Sequence, residues 1–165
     1  MPPTAISNAA YRRFESFREY ESLIDAMIPR TESMIRVFDR ALSASWNSKQ
    51  RDVLLRDFLR RNPASRIYVV VHEATHIERD LPRLTELQRD FQHAFKIRQT
   101  PRMAHHLYDA FVIFDASHYL HRFHQSHMRA AQGLHDVDGT QQLWDRHHEL
   151  WEASTPHGLS GLSGR

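Results

Sequence analysis

Apolar positions along the chain alternate between two spacings. Leu23, Ile24, Met27 and Ile28 make a helical stripe that Pro29 closes, because proline has no amide hydrogen to donate and its ring clashes with the preceding turn. Met34-Ile-Arg-Val-Phe38 is short, apolar and β-branched, which predicts a strand. Ser48 is placed to cap a helix whose inner face is Val53, Leu54, Leu55, Phe58 and Leu59, ending at Asn62-Pro63. Ile67-Tyr-Val-Val-Val71 is apolar on both sides, as a strand buried on both faces would be. A helix carrying Leu84, Leu87 and Phe91 on one face follows, then a strand at Phe95-Lys-Ile-Arg98. Ala110–Phe114 and Tyr119–Phe123 are close enough to form a hairpin turning at Ala116-Ser117. The last helix spans about Thr140 to Ala153, with Leu143, Trp144, His147, Leu150 and Trp151 at helical spacing. Strands alternating with helices predict a single α/β domain, with a mostly parallel mixed sheet flanked by helices on both faces. Residues 11–154 form that domain in this reading, and residues 1–10 and 155–165 are flexible ends.

Composition narrows the function classes. The 165 residues, 41% hydrophobic, are enough for one domain with a substantial core. A formal charge of +2 is too small to point to nucleic acid, and the sequence offers no run resembling a signal peptide or a membrane span. The absence of cysteine excludes disulfides, thiolate catalysis and cysteine-ligated zinc, and suits a cytoplasmic protein. The count of 13 histidines is high, and His118, His121, His124 and His127 recur every third residue. Such spacing would stack them on a helix as metal ligands, or leave them on strand and loop as a pH-sensitive surface.

The pentad His72-Glu73-Ala74-Thr75-His76 matches the pattern in which two helical histidines hold zinc and the glutamate acts as base. Against a helix stand the β-branched run before it, a Thr75–Glu78 capping box that would start a helix only after His72, and Pro82. No third ligand has a distinctive context, although Glu86, His93 and Glu149 are candidates. We therefore expect no metal and no cofactor. A zinc hydrolase using His72 and His76 as ligands and Glu73 as base is the alternative.

From about Phe14 to Pro156 the order of elements resembles one half of the phospholipase D fold, and more narrowly a bacterial family of unknown function built on that half. The segments that carry the resemblance are Met34–Asp39, Leu81–Leu84, Phe95–Pro101, Asp109–Asp115 with Tyr119–Arg122, and Glu149–Ser154. In active relatives a His-x-Lys pair precedes an Asp by four further residues. The His attacks phosphorus, the Lys steadies the phosphoryl oxygens and the Asp supports the site. With Asp115 in register, Tyr108 stands in the His place and Ala110 in the Lys place, and Arg122-Phe123 replaces the Gly-Ser that follows. The resemblance thus implies a pseudoenzyme, a fold kept for ligand binding or protein assembly, and a homodimer, because active members build their site from two halves. A degenerate phosphodiesterase using His105 or His106 is a further alternative.

Ligands of open α/β sheets bind beyond the carboxyl ends of the parallel strands. Those ends carry Asp39-Arg40, His72-Glu73 and Arg98-Gln99, and the neighbouring hairpin adds Asp115, His121 and Arg122, so that Asp39, His72, Arg98, Asp115, His121 and Arg122 are the expected groups of a polar crevice for a small anionic ligand. Trp144 and Trp151 read as packing anchors, and Arg56, Arg60 and Arg61 as a solvated helix face.

Overall fold

The structure, a computed structural model, describes residues 9–157. In chain order the elements are β1 (Ala10–Phe14), α1 (Phe17–Met27), β2 (Met34–Asp39), α2 (Lys49–Arg61), β3 (Arg66–Val71), the single turn α3 (Ile77–Asp80), α4 (Pro82–Asp90), β4 (Phe95–Gln99), β5 (Ala110–Phe114), β6 (His118–Arg122), β7 (Ala130–Leu134), α5 (Val137–Ala153) and β8 (Thr155–His157). They build one mixed sheet in the order β1-β7-β6-β5-β2-β3-β4-β8. Parallel pairing is confined to β2–β3 and β3–β4, and every other neighbour is antiparallel.

The helix starts follow their caps. Ser16 accepts from the Glu19 amide, Ser48 from Arg51 and Asp136 from Gly139, each satisfying one amide that the helix itself leaves free. The Asp136 cap starts α5 at Val137, three residues before the position expected from its apolar spacing. Two layers of side chains sandwich the sheet. On one face α1, α2 and α4 bring Ile24, Phe58 and Leu87 onto Ile35, Val69 and Ile97. On the other, α5 brings Leu143, Leu150 and Trp151 onto Phe38, Val70 and Phe111, joined by Ala104 and Leu107 of the β4–β5 connection.

The sheet is wider than its apolar runs announce. Strand β1 takes in Ala10, and β8 takes in Thr155–His157, both outside the domain limits read from sequence; residues 1–8 and 158–165 lie outside the described residues. Strand β7 went unforeseen because Ala-Ala-Gln-Gly-Leu carries no β-branched residue. Its Gly133 is required by close approach, since a Cβ there would meet the Tyr119 ring at 2.2 Å. Val53, placed on the inner face of α2 by spacing, is instead 57% exposed.

Candidate functional site

The pentad is not helical. His72 follows β3, residues 73–76 form a bend and turn, and the short α3 begins after His76. Thr75 is exposed and His76 occupies the cap position without a side-chain bond, so the expected Thr75–Glu78 capping box does not form. The His72 ring is buried, with Nδ1 2.6 Å from Thr100 Oγ1 and Nε2 3.0 Å from the Leu107 carbonyl. Burial lowers its pKa from the ordinary value, favouring the neutral ring. Glu73 faces away and pairs with Arg40, Nε to Oε2 3.1 Å. With both His72 nitrogens engaged and no helical turn joining it to His76, the geometry of the zinc alternative is absent. Among the described residues, no group of three or more His, Asp or Glu is placed to hold a metal ion.

The histidine ladder also disperses. His118 and His121 lie on β6, where alternate residues face opposite sides and residues three apart diverge. His118 meets His135 edge-on at 4.6 Å, while His124 stacks on Tyr108 at 5.4 Å.

Strand direction decides which of the expected crevice residues meet. The ends of β2 and β3 carry Asp39 and His72, and the antiparallel pairing of β5 against β2 brings Tyr108, just before β5, to the same end. Arg122 joins them because it pairs with Ala110 across the hairpin. Two adjoining hollows result. One of about 120 Å³ is lined by Arg40, His72, Glu73, His105, Tyr108 and Gln125, and one of about 300 Å³ by Asp39, Arg40, Arg122, Gln125 and their neighbours. Burial pushes the Asp39 carboxyl up to about 7, against the Arg40 amide and the Arg122 charge that pull it down. Arg122 donates to the Gln125 carbonyl and packs over the Phe17 ring at 5.3 Å, which fixes the loop on one side of the crevice.

The remaining expected residues lie elsewhere. Asp115 sits at the other end of the sheet, because the β5–β6 turn falls beside the amino end of β2. There its carboxylate accepts from the amides of Glu32, Ser33 and Met34 at 2.9, 2.9 and 3.1 Å. Arg98 is one pleat back from the end of β4, donates to the Trp151 carbonyl at 2.8 Å and covers the Trp151 ring. His121 is held by Asp109 at 2.8 Å, and Arg146 of α5 grips the same carboxylate through both its nitrogens at 2.6 and 2.9 Å. Burial alone would raise the Asp109 carboxyl, but Arg146 and His121 outweigh it and hold it well below the usual range.

His105, Tyr108 and Gln125 are crevice residues that the strand-end rule did not select, whereas Arg40 follows Asp39 at the end of β2. These three lie on connections that the pairing of β5 with β2 and with β6 brings to the crevice. Tyr108 opens onto the crevice and is 50% exposed, whereas Ala110 is buried at 1% exposure. His105 lines the crevice 4.6 Å from the His72 ring, and His106 is turned out, its Nδ1 2.9 Å from the Met103 carbonyl.

A mixed sheet with helices on both faces and a polar crevice at one set of strand ends is an α/β architecture that phospholipase D-like domains share. Solved structures bear this out at the level of fold. The chain is similar to Nuc from Salmonella typhimurium, a phospholipase D family member, with a TM-score of 0.66 and 10% identity over 91% of this chain and 99% of that one. It is similar to NucT from Helicobacter pylori at 0.60 and 6%, over 90% and 99%. A third likeness is to TrmBL2, an archaeal chromatin protein described as binding DNA in a novel mode, at 0.63 and 10%, over 89% of this chain and 54% of that one. The chain belongs to the family described as a domain of unknown function, DUF7931, whose model matches residues 17–158. No curated protein matches it in sequence. None of the described helices is long and apolar enough to cross a membrane.

Proposed function

We propose that this domain is a non-catalytic relative of the phospholipase D fold that binds a small anionic ligand in the crevice between Arg40, Arg122, His72 and Tyr108. One observation carries the reading: a polar crevice lies at the strand ends, where the register that the resemblance sets puts Tyr108 and a buried Ala110 in the places of nucleophile and cation. A phenol lacks the neutral ring nitrogen that attacks phosphorus, and a methyl group offers no charge to a phosphoryl oxygen. His72 does not take over the role, since both its nitrogens are already bonded. Arg122 supplies positive charge, Arg40 adds a guanidinium that it shares with Glu73, and protonation of Asp39 near neutrality reduces the repulsion an anion would meet. Tyr108, half exposed at the crevice, suits contact with a second copy and hence a homodimer.

Incubation with a chromogenic phosphodiester tests the catalytic half of the reading. The expected result is no release of chromophore, unchanged in His105→Ala and His106→Ala. Release that disappears in His105→Ala establishes a degenerate phosphodiesterase instead. Light scattering at micromolar concentration tests the homodimer, and a strict monomer contradicts it.

A further inference from the structure

Strand β1 ends the sheet, and among the described residues no strand pairs with its outer side. Four consecutive residues, Ala10 to Arg13, are exposed. Successive side chains of a strand point to opposite faces, so this run leaves both faces of β1 open together with its edge. In the antiparallel pairing with β7, alternate residues turn their amide and carbonyl away from that partner, and these groups stay free to pair. The opposite edge, β8, is a poorer template. It is three residues long, and its Pro156 has no amide hydrogen to donate.

A hollow of about 280 Å³ opens at the carboxyl end of β1, lined by Arg13, Phe14, Glu15, Phe123, Arg129 and Ala130. Arg13 pairs opposite Ala131, and the Phe123 amide donates to the Arg129 carbonyl at 3.0 Å, one step past the β6–β7 pairing. Alternation then puts Arg129 on the same side as Ala131 and Arg13. Both arginines are exposed. Arg13 donates through Nε to the Tyr11 hydroxyl at 3.3 Å, and its guanidinium lies 5.6 Å from the Phe123 ring centre. Its two Nη groups, and the whole Arg129 guanidinium, have no hydrogen-bond partner among the described residues. Arg12, on the other face of β1, is paired with Glu19 at 2.7 Å, whereas neither Arg13 nor Arg129 forms an ion pair, even with Glu15.

We infer that β1 and this hollow form a docking site for an extended acidic peptide, which adds to the sheet beside β1 and sets a carboxylate between Arg13 and Arg129. Two separate observations converge on it: the edge offers main-chain hydrogen bonds, and the hollow offers unpaired positive charge. Exposed charge on an edge strand ordinarily guards it, because an apolar strand would desolvate the guanidinium with nothing to offset the cost. An acidic strand removes that penalty, so the arginines that reject other strands select this one. Main-chain bonds supply the affinity and the guanidiniums the choice of sequence. A second copy fits less well, since antiparallel pairing of β1 with itself about Arg12 brings Arg13 no carboxylate. The hollow shares no lining residue with the crevice and does not depend on that reading.

Fluorescence anisotropy of a labelled peptide of about ten residues, alternating Glu and Val to match one strand, tests the inference. Saturable binding is expected, with amide NMR shifts centred on residues 10–14 and 129–131. Arg13→Gln combined with Arg129→Gln, both at exposed positions, is expected to keep the parent's thermal midpoint and lose at least about fivefold in affinity. A Glu-Pro-Pro repeat with the same number of carboxylates cannot add as a strand, and is expected to bind at least about tenfold more weakly. Absence of saturable binding by the Glu–Val peptide overturns the inference, as does unchanged binding in the double variant. Equal binding of the Glu-Pro-Pro repeat, or of a Lys–Val peptide, also overturns it, as do shifts confined to Arg40 and Tyr108. Dilution of the protein without peptide that reproduces the β1 shifts gives the edge to a second copy and overturns it too.

Discussion

Arg36 on β2 and His147 on α5 meet in the interior, guanidinium Nη1 to imidazole Nδ1 at 3.2 Å, without a carboxylate between them. His147 Nε2 lies 3.1 Å from the Val37 carbonyl, which only accepts, so Nε2 carries the proton and Nδ1 presents its lone pair to the guanidinium. Burial and the Arg36 charge together push His147 down to about 3, which favours the neutral ring near neutral pH. This contact, with Trp144 over the guanidinium, clamps α5 to the sheet.

His147→Leu removes the acceptor and leaves Arg36, whose Nε is already without a partner, with no side-chain hydrogen bond. The expected loss is about 2–4 kcal/mol in urea unfolding. Combining it with Arg36→Met should recover about 1–3 kcal/mol relative to the sum of the single changes, because the two residues act as one unit. Additive losses contradict the clamp.

The pH dependence of stability has two opposed parts. His147 in the folded state lies near 3 and unfolded near 6.5, so the unfolded chain binds the extra proton in that window and stability rises with pH across it. Asp39 lies near 7 folded and near 3.8 unfolded, so the folded chain holds the extra proton and stability falls as pH rises from about 4 to about 7. Asp39→Asn abolishes the falling part alone. Its stability relative to the parent should be nearly constant below pH 4 and improve up to pH 7, with a slope limit of about 1.4 kcal/mol per pH unit for one proton. Thermal midpoints of both proteins between pH 4 and 8 check this, and a constant difference refutes the raised Asp39.

Arg51 is fully buried, joined to Glu21 at 3.0 Å and Asp25 at 2.7 Å, with Trp46 against its guanidinium at 4.6 Å. Arg51→Ala strands two carboxylates and opens a cavity, and should cost about 3–5 kcal/mol, read as a lower urea midpoint. Loss of less than 1 kcal/mol, the range of an exposed pair, contradicts this role.

Asp115 has φ of 56°, a region that favours Asn, Asp and Gly, and its carboxylate gathers three amides from the entry to β2. Asp115→Ala should cost about 2–4 kcal/mol, since it removes the acceptors and with them the local hydrogen bonds that offset the left-handed backbone. Asp115→Asn, which keeps one carbonyl oxygen and tolerates that conformation, should cost about half as much. Calorimetric midpoints distinguish this turn role from a ligand role, which would leave stability unchanged.

These residues show what was legible in the sequence. The inner strands β2, β3 and β5 announce themselves because Val37, Val69 and Val112 sit in short runs rich in apolar and β-branched residues, and α2 because Ser48 caps an amphipathic stripe. Strands β1, β7 and β8 did not, since edge and small-residue strands pair through the backbone and leave no apolar signature. At the site, the positions of Asp39 and His72 follow from the strand-end rule and that of Arg122 from the hairpin beside it. Asp115 was misplaced because that rule presumes parallel strands, whereas β5 runs against β2 and turns at the opposite end. Arg98 and His121 were misplaced because register fixes which pleat a side chain occupies, and register depends on partners far along the chain. Arg36 and His147, 111 residues apart, are joined only by the tertiary fold.

A titration with a chromogenic phosphodiester, followed by amide NMR and by chromophore release in the same sample, tests the central claim most directly. The account predicts saturable shifts confined to the residues around Arg40, Tyr108, Arg122 and Gln125, with no chromophore released. Turnover of the diester, or shifts absent from that crevice at saturating concentration, contradicts it.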